Sequence, residues 1–94
     1  MFDANRAQEL GIVNKIVPIE KLLETAKEWA RKLAEKPPIA LQMLKLAVNA
    51  GRNTDIESGL VIEATCFNTA FSTEDRKEGL QAFLEKRKPV FEGK

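Results

Sequence analysis

Apolar side chains recur every three or four residues through four separate stretches, and this spacing limits the possible folds more than any other feature of the chain. The spacing places the apolar groups on one side of an α-helix, and that side must be covered by another element. We therefore predict helices over about residues 19–36, 38–50, 56–71 and 73–87. The first of these has the clearest pattern and carries Trp29 on its apolar side, where we expect it to be buried.

Local signals indicate where these helices begin and end. Pro37 interrupts the first helix, and Pro38 suits the first turn of the second, where its missing N–H is not needed. Thr54 and Glu57 have the spacing of a capping box, in which Thr54 caps the third helix. Gly79 lies inside the fourth helix, where glycine costs about 1 kcal/mol relative to alanine. We expect another element to approach closely at Gly79.

The first 18 residues predict two smaller features. Asp3 can cap a short helix through Leu10, and Gly11 is typical of a helix end. Residues 12–17 are rich in β-branched side chains and precede Pro18, which predicts an extended segment. The chain offers no second strand, so this segment stays solvated or pairs outside these 94 residues. The expected fold is all-α: one domain over 1–94, a small orthogonal-type bundle of about four main helices.

Charge and composition exclude several functional classes. Fifteen Lys and Arg oppose fourteen Asp and Glu, which gives a net charge of +1 rather than the basic surface that binds nucleic acid. No apolar stretch approaches the roughly 20 residues that a membrane span requires. The single cysteine, Cys66, rules out an internal disulfide and is consistent with a reducing compartment. We expect a cytoplasmic protein that binds neither nucleic acid nor membrane.

The sequence contains no recognisable catalytic or metal-binding constellation. Histidine, the commonest neutral-pH base and metal ligand, is absent. Cys66 lies on a predicted amphipathic helix and is interpreted as a small buried apolar residue rather than a nucleophile. Glu74 and Asp75 point in different directions on a helix, so they are interpreted as charges favoured at its N-terminus. We predict no catalytic residue, no metal site and no cofactor.

The end of the fourth helix allows two interpretations, because Phe83 precedes the three cations Lys86, Arg87 and Lys88. In the first, Phe83 belongs to the core and the cations complement the negative end of the helix dipole. In the second, Phe83 and Lys86 share one side of the helix and contact a nucleotide-like group. The residues alone leave both interpretations open.

Three blocks of sequence carry a resemblance to a known family. They are residues 7–18 (AQELGIVNKIVP), 36–41 (KPPIAL) and 73–87 (TEDRKEGLQAFLEKR). In this order and spacing they resemble the C-terminal third of enoyl-CoA hydratases, members of the crotonase family. The resemblance covers nearly the whole chain.

The resemblance implies a parent enzyme that hydrates 2-enoyl-CoA thioesters without a cofactor. Its oxyanion hole and catalytic carboxylates would lie upstream, in an N-terminal spiral of ββα units, so no catalytic residue is carried over to this chain. The segment would cover the active site and build a trimer or a dimer of trimers. The helix over 73–87 would approach the adenosine of CoA, with Phe83 and Lys86 touching it. Two alternatives remain: a family isomerase, or a non-enzymatic helical interaction and oligomerisation module.

Overall fold

The computed structural model describes residues 1–94 and confirms the all-α class. The chain forms five α-helices and no β-strand. They are α1 (Ala4–Glu9), α2 (Leu22–Ala34), α3 (Pro38–Gly51), α4 (Ile56–Phe71) and α5 (Glu74–Glu85), with one turn of 3-10 helix at Ile19–Lys21. The chain divides into two compact units, Met1–Lys32 and Leu33–Lys94.

In the first unit, α1 follows the local signals of the sequence. The Asp3 carboxylate accepts a hydrogen bond from the Arg6 N–H at 2.9 Å and caps the helix, as predicted. Gly11 follows with a φ of 74°, the left-handed conformation that glycine adopts without strain. Residues 12–17 form no ladder with any other part of the chain.

The apolar side of α2 is less buried than its sequence pattern predicts. Trp29 is 41% exposed, and Leu22 and Leu23 are exposed further. A strong apolar pattern shows that a helix has a face to bury, but the covering element must be present for burial to occur. The expectation that Trp29 is buried is wrong for this chain.

The second unit is built on α3 and α4, the helix pair with extensive mutual contact. The two helices approach closely where α3 ends and α4 begins: a Cβ on Gly59 would lie 3.8 Å from the Gly51 carbonyl oxygen. Cys66 of α4 is 7% exposed, so its interpretation as a buried apolar residue is confirmed. Extensive apolar surface of α4, including Leu60 and Phe67, remains exposed.

The predicted capping box at α4 is wrong by one residue. The cap is Asp55, whose Oδ1 accepts a hydrogen bond from the Ser58 N–H at 2.9 Å. Its Oδ2 accepts a second from the Ser58 hydroxyl at 2.8 Å, and the Thr54 hydroxyl donates to the same carboxylate. The Ser58 N–H is the main cause that lowers the pKa of Asp55. The Asp55 carboxylate accepts hydrogen bonds from both Ser58 donors, and its negative charge is attracted to the partial positive charge at the helix N-terminus. It is therefore a better cap than a hydroxyl.

The structure shows which residue caps α5 and what approaches Gly79. Thr73 caps the helix by accepting a hydrogen bond from the Arg76 N–H at 3.2 Å. A Cβ on Gly79 would lie 3.5 Å from Cε1 of Phe91, which confirms the predicted close approach. The approaching element is residues 88–94, which fold back along α5 and which we call the C-terminal strap.

Candidate functional site

Phe83 lies in the last turn of α5, and Lys86 directly follows the helix, which ends at Glu85 rather than near Arg87 as predicted. Phe83 is 81% exposed, together with its helix neighbours Leu80 and Leu84, and belongs to no core of this chain. The first interpretation of this residue, as a core side chain, is therefore wrong for these 94 residues. Lys86 is also exposed, so both members of the candidate pair are accessible to a ligand.

Lys86 has an unusual backbone conformation. Its φ and ψ are 55° and 40°, the left-handed region, and it is the one non-glycine residue of the chain with positive φ. The Arg87 N–H donates to the Ala82 carbonyl at 3.0 Å and the Lys86 N–H donates to the Phe83 carbonyl at 3.2 Å. This is the Schellman ending of a helix, whose left-handed position usually carries glycine. A lysine there stores strain that the neighbouring contacts must offset.

The neighbouring contacts come mainly from Arg87. Its Nη1 and Nη2 donate to the two carboxylate oxygens of Glu78 at 2.6 and 3.0 Å, and its Nε donates to Glu85 at 2.6 Å. Hydrogen bonding from Arg87 lowers the pKa of Glu78 to about 2, and the Val90 N–H adds to this effect. The same Arg87 side chain lowers the pKa of Glu85, and the two carboxylates raise the pKa of Arg87. Charge and geometry thus hold Arg87 in place.

The three cations at this helix end differ in their surroundings. Arg87 is bound to Glu78 and Glu85, and Lys88 pairs with Glu35 at 3.4 Å. Lys86, by contrast, forms no salt bridge within the chain. Its ammonium is therefore the cation that remains open to an external anion.

Asp75 has a structural role that the sequence analysis missed. The side chain is 3% exposed, and its two oxygens accept hydrogen bonds from the Glu92 and Gly93 N–H groups at 2.8 and 2.9 Å. Its own N–H donates to the Lys94 carbonyl at 2.9 Å. The position of Asp75 in the first turn of α5 agrees with the predicted favourable interaction with the helix dipole. Its partners lie 17 and 18 residues away, so no local pattern could indicate them.

A shallow apolar groove lies within the first unit. It has a volume of about 290 Å³ and lies between residues 12–17 and α2, with Val13, Val17 and Trp29 among its walls. Its walls are mostly apolar, with Asn14, Lys15 and Thr25 as the polar residues. No three His, Cys, Asp or Glu side chains of the chain cluster as metal ligands would. None of the five helices has the length and apolar character to cross a membrane.

Comparison with known proteins places this helical segment in a family. The model of the enoyl-CoA hydratase/isomerase family matches residues 1–94, the full extent of the chain. The chain therefore belongs to the enoyl-CoA hydratase/isomerase family, and the resemblance drawn from its three sequence blocks is confirmed.

Several relatives are enoyl-CoA hydratases of about three times this length. The short-chain-enoyl-CoA hydratase of Clostridium acetobutylicum is 44% identical over 85 residues, which are 90% of this chain and 33% of the relative. The crotonyl-CoA hydratase of Syntrophomonas wolfei is 43% identical over 91 residues, which are 97% of this chain and 35% of the relative. The crystal structure of an enoyl-CoA hydratase from Bacillus anthracis superimposes with a TM-score of 0.93 at 42% identity, over 97% of this chain and 35% of that one. The chain thus spans about one third of the relatives that it matches.

Proposed function

We propose that these residues form the helical C-terminal domain of an enoyl-CoA hydratase-like enzyme of acyl-CoA metabolism. The parent enzyme adds water across the double bond of a 2-enoyl-CoA thioester and needs no cofactor. The observation that carries this proposal is the family match over residues 1–94, in a chain that spans only one third of the matched hydratases. The cytoplasmic location expected from the sequence is part of the same proposal.

The exposed apolar surfaces support a role in docking. Only Ala7, Cys66 and Ala82 are buried apolar residues, while large apolar side chains on α2, α3, α4 and α5 face outward. A soluble domain with so much open apolar surface fits a part that is covered by larger partners. The partners in this proposal are the enzyme's own N-terminal catalytic domain and neighbouring subunits of a trimer or a dimer of trimers.

The contribution of this domain to substrate binding is assigned to Phe83 and Lys86. An exposed aromatic ring can stack on adenine, and an ammonium without an ionic partner can meet a phosphate of CoA. No catalytic residue is assigned, because the chain contains no histidine and the proposal places the oxyanion hole and the catalytic carboxylates in the N-terminal domain of the parent. The 94 residues alone are therefore expected to be inactive.

The proposal is tested by assaying the protein encoded by the complete natural reading frame. Purified full-length protein is mixed with a short-chain 2-enoyl-CoA, and loss of the conjugated thioester absorbance is followed in parallel with the 94-residue chain. We expect turnover from the first protein only. A complete protein without activity on enoyl-CoA thioesters would contradict the proposal, and so would turnover by the 94 residues alone.

The CoA contact is tested by Lys86→Ala in the same complete enzyme. A contact of about 1–2 kcal/mol predicts a KM for the CoA thioester raised by roughly five- to thirtyfold with little change in kcat. A pantetheine thioester without the nucleotide should not distinguish the variant from the original protein, and added salt should reduce the difference seen with CoA. The matched control is Lys45→Ala on the exposed side of α3, which should leave both substrates unaffected.

Two alternatives have specific support. The family description covers isomerases, and product analysis of the same assay distinguishes a shifted double bond from an added hydroxyl. The exposed apolar faces would also suit a non-enzymatic oligomerisation module. A natural protein whose intact mass corresponds to this segment alone would favour the module.

A further inference from the structure

The C-terminal strap, residues 88–94, lacks regular secondary structure but is tied to α5 at successive points. The Val90 N–H donates to Oε1 of Glu78 at 2.9 Å. Beyond it, the Glu92 and Gly93 N–H groups donate to Asp75 at 2.8 and 2.9 Å. The strap therefore runs back along α5 from its C-terminal end to its first turn.

Packing contacts reinforce this arrangement. The ring of Phe91 fills the space above Gly79, where a Cβ would lie 3.5 Å from the ring. At the far end, a Cβ on Gly93 would lie 3.5 Å from the Pro38 ring, so the strap also reaches the start of α3. The strap thus links α5 to the helix pair that forms the centre of this unit.

Lys86 lies at the point where α5 turns into the strap. Its left-handed backbone is strained for a residue with a Cβ, and such strain persists only when surrounding contacts determine the conformation. Those contacts lie on the C-terminal side of the turn. Arg87 donates hydrogen bonds to Glu78 from two guanidinium nitrogens. The backbone N–H of Val90, three residues further on, donates to the same carboxylate. Glu78 therefore secures the turn twice, through a side chain and through the backbone of the strap.

We propose that Glu78 and Asp75 are positioning residues, which hold the strap closed and thereby fix the Lys86 turn that presents its ammonium to the anionic nucleotide end of a CoA thioester. This inference rests on the proposed contact between Lys86 and CoA and identifies the residues that make that contact effective. The contacts of both carboxylates are with Arg87 and the strap backbone, so the proposal gives them no contact with the ligand. An anion near them would be repelled, so their favourable effect acts entirely through the strap and the turn.

The proposal predicts that opening the strap weakens CoA binding without harming catalysis. Glu78→Gln keeps the shape of the side chain but removes the charge that binds Arg87. Glu74→Gln is the matched control, since Glu74 is an exposed carboxylate of the same helix whose ionic partner is only Lys77. Asp75→Asn is a second variant that loosens the far end of the strap, where two N–H groups require two acceptor oxygens.

Two measurements on the complete enzyme separate the strap from the substrate contact. Hydrogen exchange of the Val90, Glu92 and Gly93 amides reports strap opening directly. Loss of charge-assisted hydrogen bonds predicts about tenfold faster exchange at Val90 in Glu78→Gln and no change in Glu74→Gln. The KM for the CoA thioester should rise severalfold in Glu78→Gln at constant kcat, while the KM for the pantetheine thioester stays the same.

Each contrary result has a defined meaning. Unchanged exchange in both strap variants, or faster exchange with an unchanged KM for CoA, overturns the positioning role. An equal loss with both thioesters indicates general damage and overturns it as well. If Lys86→Ala is impaired with CoA but Glu78→Gln is not, the inference fails while the proposed CoA contact stands. If Lys86→Ala equals the original protein, the CoA contact itself fails and the positioning role falls with it.

Discussion

The left-handed turn at Lys86 leads to a prediction in which the same substitution has opposite effects at two lysines. Lys86 has φ 55° and ψ 40°, whereas Lys45 lies inside α3, and both side chains are exposed. Replacing each by Ala and by Gly removes the same charge and differs only in the Cβ. At Lys86, Gly should relieve strain that Ala retains. At Lys45, Gly should weaken a helix that Ala supports.

The magnitudes follow from the backbone geometry. A left-handed conformation costs a residue with a Cβ about 1–2 kcal/mol. The greater freedom of glycine in the unfolded chain opposes this by about 0.5–1 kcal/mol, so Lys86→Gly should exceed Lys86→Ala in stability by about 1 kcal/mol. In a helix interior the order reverses, and Lys45→Gly should fall below Lys45→Ala by about 1 kcal/mol.

The assay is urea denaturation of the four variants. Their free energies of unfolding are compared once all four show the same m-value, the slope of the unfolding free energy against urea concentration. The glycine-minus-alanine difference should be positive at residue 86 and negative at residue 45, a separation of about 2 kcal/mol. If glycine destabilises both positions equally, Lys86 has ordinary helical or extended backbone in solution. The strain that links the turn to the strap would then be absent.

Three further outcomes are expected. Trp29→Ala should cost about 2 kcal/mol in the 94-residue chain, where the residue is 41% exposed, rather than the roughly 3–5 kcal/mol of a fully buried aromatic residue. A cost below about 1 kcal/mol in urea denaturation would contradict this partial burial. The 94-residue chain should sediment as a dimer or larger species at micromolar concentration, because its apolar faces are uncovered, and a strict monomer would contradict this explanation. The pKa of Glu78 is lowered from 4.5 to about 2, so its ionised carboxylate should stabilise the fold fully above pH 4.5, and this stability should be lost as the pH falls toward 2. Acid unfolding of Glu78→Gln should lack this contribution. Identical pH profiles of the variant and the original protein would count against the ion pair with Arg87.

The locations of the helices could be predicted from the sequence because their signals are local. The apolar spacing, Pro38, Asp3 and Thr73 each act within one or two turns, and the observed helices begin where these residues indicate. The cap of α4 was predicted at Thr54 but lies at the adjacent Asp55, because both residue types can cap a helix. Only the positions of the Ser58 donors decided in favour of the carboxylate.

The candidate ligand contact was also accessible from the sequence, since Phe83 and Lys86 are three residues apart and occur in a block that resembles a known family. The surroundings of the two residues could not be predicted from the sequence. The sequence pattern did not reveal that Phe83 faces outward or that Lys86 alone among three cations lacks an ionic partner, because both facts depend on which segments are present to cover or pair with them.

The sequence by itself thus determined the all-α class, the order of the helices and membership in a family, since these depend on short-range periodicity and on residue identity. Tertiary structure alone decided the closure of the strap, in which Asp75 binds backbone groups 17 and 18 residues away. It also decided the left-handed turn at Lys86, a conformation that a lysine does not favour locally. The physical reason is the same in both cases: a hydrogen-bonding group or a strained backbone takes its final state from partners that only the folded chain brings within reach.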